Sequence, residues 1–260
     1  MCWRSAQLFT KRDSCWGRHL SCGRLNSGFT LIELLVVIAV IALLASMIFP
    51  ITGAVARNKI RSRSRVEMAR CQAAIESYKA KLGHYPPDNQ LNPPFDKPTL
   101  NQLYYELVGT ALSNNGSYTS LDGSSSLLAS HVKMVFGTDG FVNSTKGASS
   151  DEAPPATPFL TGLRPDQAVL VPEAVGRSSS VKILVGYPWK KTTNPPFNVD
   201  PLPAAPGVNP WRYRSHPDAL HPLNNPDSYD LWLDVNIGGT VYRICNWSSQ
   251  PLKVTSSLDN

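Results

Sequence analysis

The sequence predicts an α+β fold, in which one long amino-terminal helix is followed by a small antiparallel sheet near the carboxyl end. Residues 29–50 form an almost unbroken apolar run, and an apolar stripe in helical spacing continues beyond it. Near the carboxyl end, two segments of alternating polarity flank Gly238-Gly239, which is typical of a β-hairpin. The 260 residues are enough for one head domain with a hydrophobic core.

The apolar run from Phe29 to Pro50 has the length of a membrane-spanning helix. Its 22 residues rise about 33 Å as an α-helix, which matches the hydrocarbon thickness of a bilayer. Glu33 is the one ionisable residue of this run, and an ionised carboxylate is costly in hydrocarbon. Its presence therefore indicates a function, unless the run is an ordinary anchor whose acidic residue reaches water at the helix end.

A polar, basic segment precedes the apolar run. Residues 1–27 carry five basic side chains against one acidic side chain, a bias that favours a cytoplasmic amino terminus. The junction, Gly28-Phe29-Thr30-Leu31-Ile32-Glu33, resembles the processing site of type IV prepilins and type II secretion pseudopilins. The resemblance implies that a prepilin peptidase removes residues 1–28 as a leader and methylates the new amino terminus at Phe29.

The same resemblance implies a function for Glu33 in filament assembly. Its implied partner is the terminal amine of Phe29 in a neighbouring subunit, and such pairs would stabilise the stacking of helices and set their register. A competing cleavage site remains, because Ala54-Val55-Ala56 is similar to a secretory signal-peptidase motif. The apolar run is longer than the ~7–15 residues of an ordinary signal peptide, which favours cleavage after Gly28.

The helix is predicted to continue past Pro50 to about Leu82. Gly83 supplies a stop signal, and two prolines follow at 86 and 87. Apolar residues spaced three and four apart predict one buried face that a sheet would cover: Met68, Cys71, Ile75, Tyr78 and Leu82.

Between Arg57 and Arg70 the chain is strongly basic, whereas the formal net charge of the whole sequence is +6. This stretch is predicted to lie just outside the membrane and to face lipid headgroups or neighbouring subunits. The alternative is that this basic stretch binds nucleic acid that passes along a filament. The chain after Arg70 is close to neutral, whereas a nucleic-acid-binding head carries basic residues over its surface, so no nucleic-acid partner is expected.

The middle of the chain, about 88–210, is predicted to be mostly irregular. Thr99–Leu112 is expected to be a helix with a capping box made by Thr99 and Gln102. Ser113–Ser126 is rich in serine, glycine and asparagine and predicts a loop. The remaining predictions are strands at Val169–Val171 and Val181–Tyr187 and an extended, proline-rich segment at Pro195–Pro210.

Segments on either side of this middle region resemble the major, G-type pseudopilins: Ala74–Pro86, Asn209–Tyr213 and Ile244–Trp247. In that family the loop between the last strands binds calcium, and Asp234 matches one family aspartate. Arg243 stands where the family has another aspartate, and Arg212 stands at the usual glycine. Calcium requires six or more oxygen ligands, and an arginine in place of one aspartate removes a ligand. The alternative is that Asp227, Asp230 and Asp234 are turn and strand-edge residues. No cofactor is expected, and calcium at Asp234 is the one candidate.

Two cysteines, Cys71 and Cys245, remain after removal of the leader in a compartment that permits disulfides. They are candidates for a disulfide between the long helix and the last strand, and two buried free thiols are the alternative. No catalytic motif is present, because His216 and His221 lack a further ligand at zinc spacing and no nucleophile or phosphate-loop pattern occurs. The sequence therefore predicts a protein that is not an enzyme.

These observations predict a pilin-like subunit with a leader (1–28), a transmembrane or filament-core helix (29–56), a solvent-exposed helical half (57–83) and a head (84–260). The long insertion at about 88–210 lies within the head. The resemblance implies a pseudopilin of a type II secretion-like system, in the inner membrane as a single-pass protein with a periplasmic head and then in a periplasmic filament. Its implied partners are itself, other pilin-like subunits, the prepilin peptidase and an inner-membrane assembly platform.

Two alternatives stay open. The first is a type IV minor pilin for adhesion or DNA uptake. The second is a membrane-anchored ligand-binding module that carries a prepilin signal and binds its ligand through the 88–210 insertion.

Overall fold

The computed structural model describes residues 28–89, 97–146, 155–172, 180–216 and 222–255, with the side chains of 47–54 excepted. The chain divides into two compact units, Met1–Pro50 and Ile51–Asn260. The predicted leader, 1–27, lies outside the described residues. The described part is α+β, with a long helix followed by mainly antiparallel sheets, an arrangement compatible with a pilin-like fold.

Helix α1 comprises Leu31–Leu82. It ends where the sequence predicted, because Gly83 adopts a left-handed φ of 84° that residues with a Cβ rarely take. The predicted apolar stripe is confirmed for its first four residues, since Met68, Cys71, Ile75 and Tyr78 are all buried. Its last residue, Leu82, is half-buried and packs against the same core. Among the described residues, no helix combines the length and the mean hydropathy required of a membrane span.

The strands of the described residues form three sheets. The first has the order β3-β2-β1-β4, the second β10-β9-β8-β7, and β5 pairs with β6 alone. All pairs are antiparallel except β1 with β4, which are parallel. The bounds are β1 Thr110–Leu112, β2 Ser117–Ser120, β3 Ser126–Leu128, β4 Ser144–Thr145, β5 Ala168–Val171, β6 Val181–Leu184, β7 Arg212–Arg214, β8 Asp230–Ile237, β9 Thr240–Cys245 and β10 Leu252–Lys253. The two further helices are α2, Leu103–Val108, and α3, Ala129–Phe136.

The predicted carboxyl-terminal hairpin is confirmed. Strands β8 and β9 pair from Ile237 with Thr240 through Trp232 with Cys245, and the turn between them is Gly238-Gly239. Both glycines have positive φ, 63° and 87°, which a two-residue hairpin turn of type I′ requires. The strands predicted at Val169–Val171 and Val181–Tyr187 are also present, as β5 and the shorter β6.

The helix predicted at Thr99–Leu112 is wrong in extent. Helix α2 has six residues, and its last turn stops at Gly109, where a φ of 80° breaks the helical geometry. The residues that follow enter strand β1 instead. The predicted capping box does not form, because the amide of Gln102 donates to the carbonyl of Asp88, which is far away in sequence.

The loop predicted at Ser113–Ser126 is also wrong in part. It contains β2 and the start of β3, which pair across the sheet from Ser117 with Leu128 to Thr119 with Ser126. Short polar side chains satisfy one another between these strands, as in the contact of Ser117 Oγ with Ser126 Oγ at 2.7 Å. A polar composition thus indicated a loop, whereas cross-strand hydroxyl pairs stabilise a sheet.

The middle region is an integral part of the head, not a set of surface loops. Leu103, Tyr105 and Phe136 are buried in the same core cluster as Ile75 of α1 and Leu233 of β8. The proline-rich segment also contributes buried side chains, Phe197 and Leu202, although it was expected to be an extended loop outside the packing. The sequence does not indicate which of these segments contact one another, so only the tertiary structure shows that they share one core.

A buried carboxylate connects α1 to this middle region. Glu106 of α2 has no exposed surface, and its oxygens accept hydrogen bonds from the Tyr78 hydroxyl at 3.0 Å and from the main-chain N–H groups of Val142 and Asn143 at 2.8 and 2.9 Å. Burial raises the pKa of Glu106, and the donated hydrogen bonds oppose that rise. The carboxylate therefore fastens α1, α2 and the segment before β4 together.

We expect Glu106→Leu to destabilise the head by about 2–4 kcal/mol, because two buried main-chain donors and the Tyr78 hydroxyl lose their acceptor. Chemical denaturation of the full-length protein in detergent measures this loss. Glu76→Leu is the matched control, since Glu76 is an exposed residue of α1 and its substitution should change stability by no more than about 0.5 kcal/mol. Equal losses in both variants would contradict the fastening role.

Candidate functional site

The start of α1 is organised by a reciprocal capping box. Thr30 Oγ1 and the Thr30 main-chain N–H both donate to Glu33 Oε2 at 2.8 Å, and the Glu33 N–H donates back to Thr30 Oγ1 at 3.3 Å. Thr-x-x-Glu directly before an apolar run is the sequence pattern of this motif, and it was readable from the sequence. In the single chain, Glu33 therefore has a partner of its own before any neighbour arrives.

The apolar side chains after this cap are exposed all round the helix. Within the first unit, the large apolar residues from Leu31 to Leu44 are between 47% and 80% exposed. Ser46, a polar side chain in the run, donates to the Leu43 carbonyl at 2.7 Å and so needs no outside partner. A helix that is apolar on every side requires lipid or other apolar helices around it. Gly28 and Phe29, the predicted cleavage junction, are exposed at its start.

The basic stretch 57–70 is less free than the sequence suggested. Arg63 Nη2 contacts Asp166 Oδ2 at 2.5 Å, and its Nε contacts Glu67 Oε1 at 3.0 Å. Arg70 donates to Gln167 Oε1 and to the Thr161 carbonyl. The prediction of a face that meets only headgroups or neighbours is therefore wrong for these two arginines, which attach α1 to the head.

A buried ionic cluster lies at the centre of the carboxyl-terminal sheet. Asp234 has no exposed surface and forms a bidentate ion pair with Arg243, in which Nε lies 2.9 Å from Oδ1 and Nη2 lies 3.0 Å from Oδ2. Arg212, which is also fully buried, places Nη1 4.0 Å from Asp234 Oδ2. Strand β8 thus holds a carboxylate whose cationic neighbours come from β9 and β7.

Calcium does not fit at Asp234. Both carboxylate oxygens face guanidinium groups, and a divalent cation so close to two arginines is electrostatically unfavourable. Among the described residues, no group of three or more potential metal ligands occurs. The alternative that Asp234 is a turn or strand-edge residue is wrong, because it lies within β8 between β7 and β9.

The other candidate residues lie apart from this cluster. Asp227 is in an exposed turn, and Asp230 begins β8, where it accepts hydrogen bonds from the main-chain N–H groups of Asn224 and Asn225. His216 contacts Asp88 Oδ1 at 3.1 Å through Nδ1, while His221 lies outside the described residues. These contacts are those of ordinary turn residues.

Cys71 and Cys245 are both free and buried in this structure. The candidate disulfide is therefore not formed here, and the alternative of two buried thiols describes the structure. Burial raises the pKa of Cys71 to about 12, and the nearby Glu67 carboxylate adds to the rise. Such a thiol is almost wholly protonated near neutral pH and reacts slowly.

Comparison with known proteins identifies the amino-terminal segment. Residues 23–49 match the family described as the prokaryotic N-terminal methylation motif. No curated protein and no solved structure gave a match. The chain thus carries a prepilin-type signal that supports a type IV pilin-like protein, and such a signal implies processing by a prepilin peptidase and assembly with other pilin-like subunits. Families with this motif are typically structural and not catalytic.

We expect Asp234→Asn to destabilise the head by about 3–5 kcal/mol, because two buried guanidinium groups lose the charge that compensates them. Thermal or chemical unfolding of the full-length protein measures the effect. Asp139→Asn is the control, since Asp139 pairs with Lys133 at an exposed position and the same chemical change there should cost little. Added calcium should leave the wild-type unfolding midpoint unchanged, and a calcium-dependent rise would show that the native protein binds the ion.

Proposed function

We propose that the chain is a pseudopilin, a structural subunit of a filament in a type II secretion-like system. The observation that carries this proposal is the match of residues 23–49 to the N-terminal methylation motif. The motif includes the first part of helix α1, whose apolar side chains are exposed on all sides, as a subunit that packs in lipid and then among other helices requires. The resemblance of three separate segments to G-type pseudopilins supports the secretion system over other pilin systems.

The two units would act at different places. The apolar segment from Phe29 to Pro50 would anchor the subunit in the inner membrane as a single span and would later enter the filament core. The head would remain in the periplasm. Its elements would be held together internally by Glu106 and by the Asp234 cluster.

A minor-pilin role in adhesion or DNA uptake and an anchored binding module are the competing proposals. In-cell cross-linking followed by co-purification distinguishes the anchored binding module from a filament subunit. A filament subunit should co-purify with other pilin-like subunits, whereas a binding module has no reason to contact them. Dependence of filament formation on a secretion assembly platform, with no effect on adhesion or DNA uptake, favours the pseudopilin over the minor pilin.

We expect the mature protein to begin at N-methylated Phe29. Cleavage after Gly28 removes the basic leader on the cytoplasmic side and leaves the apolar run as the new amino terminus. Mass spectrometry of the protein extracted from membranes measures the terminus directly. A mature terminus at Arg57, after Ala54-Val55-Ala56, would refute the pilin-like proposal, because the whole apolar run would be lost.

We expect Glu33→Gln to leave cleavage after Gly28 intact and to reduce assembled filament to below about a tenth of the wild-type amount. Glutamine retains an acceptor for the Thr30 N–H, and so preserves the helix cap, but it lacks the charge that would neutralise a neighbour's terminal amine. Shearing and quantifying filaments from cells measures assembly.

Thr30→Ala is the matched control for the cap. It removes the hydroxyl from the capping box and keeps the Glu33 charge, so assembly should stay near the wild-type amount. If Thr30→Ala impaired assembly and Glu33→Gln did not, the cap and not the charge would be the function of Glu33.

A further inference from the structure

A surface cavity of about 840 Å³ lies in the head beside the β8–β9 turn. Its walls come from the segment of α1 at residues 56–60, from the turn at Gly238-Gly239 and from the loop at residues 190–197. The loop is fixed in place, because the Asn236 side-chain amide donates to the Lys190 carbonyl at 2.7 Å. The Trp189 indole at the root of the loop donates to the Val199 carbonyl at 2.9 Å. The cavity is therefore preformed and does not depend on a ligand for its shape.

Among the residues that the structure describes, the cavity is lined by positive charge that is poorly compensated. No described lining residue is acidic, and four lining residues are cationic: Arg57, Lys190, Lys191 and Lys253. Lys191 pairs with Asp200 at 2.6 Å, outside the lining. Within the described part of the chain, the other three cations form no ion pair. Three exposed cations around one concave surface favour an anionic ligand.

The floor of the cavity is apolar. Phe197 and Val241 are buried and form, with Trp189, a small hydrophobic cluster separate from the main core. Val254 packs against this cluster, and Ile60 of α1 also lines the cavity. A ligand that satisfies both parts of the site has an anionic group at the rim and an apolar portion beneath it. Inorganic phosphate satisfies only the rim, whereas a phospholipid satisfies both.

The position of Arg57 in the chain brings this cavity near the membrane surface. Arg57 is the seventh residue after Pro50, so the chain from one to the other spans at most about 25 Å in any conformation. Basic residues close to a membrane-spanning segment are attracted to anionic lipid headgroups. We propose that the cavity binds an anionic phospholipid at the membrane surface, with its phosphate at the cationic rim and an apolar part of the lipid against the floor. This inference rests on the membrane anchorage in the proposed function and adds a defined lipid site to it.

The test uses the full-length protein, purified in mixed micelles of phosphatidylglycerol and phosphatidylcholine, with the retained lipids quantified by mass spectrometry. We expect at least a threefold enrichment of phosphatidylglycerol over the bulk ratio for the wild type. The double variant Lys190→Gln/Lys253→Gln should return the ratio close to that of the bulk. Lys97→Gln/Lys146→Gln removes the same charge at exposed positions that do not line the cavity, and it should retain the enrichment.

Hydrogen exchange in nanodiscs locates the bound lipid. Residues 236–241 should exchange more slowly in phosphatidylglycerol nanodiscs than in phosphatidylcholine nanodiscs, and the cavity variant should abolish the difference. Equal protection in both lipids, or enrichment that survives the cavity variant, would overturn the inference. Equal protection by glycerol 3-phosphate alone would assign the cavity to a soluble anion, and protection that requires an acidic protein partner would assign it to that partner. Either result would overturn the lipid proposal.

The same preparation separates this inference from the proposed function. A protein that begins at Phe29 and remains in the membrane, yet shows no lipid preference, refutes the lipid site alone. A mature terminus at Arg57 refutes both, because the anchor that brings the cavity to the membrane would be absent.

Discussion

A carboxylate without access to water must be fully hydrogen-bonded, and the packing of the head depends on how Glu106 meets that requirement. Its three donors come from α1 and from the segment before β4, parts of the chain far apart in sequence. The bonds set the position of α2 against the buried stripe of the long helix. Once α2 is fixed, the residues on either side of it fill the core shared by the helix and the sheets.

The carboxyl-terminal sheet meets a similar requirement with ions instead of main-chain donors. Asp234 lies between strands that each supply an arginine, and Arg243 faces it directly in the hairpin register. Removing one partner of such a cluster is costly, although the intact cluster contributes little net stability. The cluster joins side chains of the three neighbouring strands β7, β8 and β9, and a divalent cation at the same place would disrupt it.

The apolar amino-terminal part of α1 exposes its apolar side chains and holds its carboxylate in a local hydrogen bond. Among the described residues of the first unit, nothing covers the apolar side chains of this segment, and the Glu33 carboxylate is already bonded to Thr30 of the same chain. A neighbouring subunit that uses Glu33 therefore has to exchange or share this capping interaction. The exchange would link filament assembly to the first turn of α1, so the cap and the charge need separate tests.

The sequence by itself determined the prepilin-type signal, the end of α1 at Leu82 and the hairpin around Gly238-Gly239, because each depends on neighbouring residues and a local period. It also contained the capping box of Thr30 and Glu33, and counting from the hairpin turn places Arg243 opposite Asp234. Only the tertiary structure decided that Arg212 joins that pair, that Glu106 receives Tyr78 and that a serine-rich stretch forms a sheet. The contact of Tyr78 with Glu106, for example, joins residues 28 positions apart. The energies of such contacts depend on burial, which no local pattern specifies.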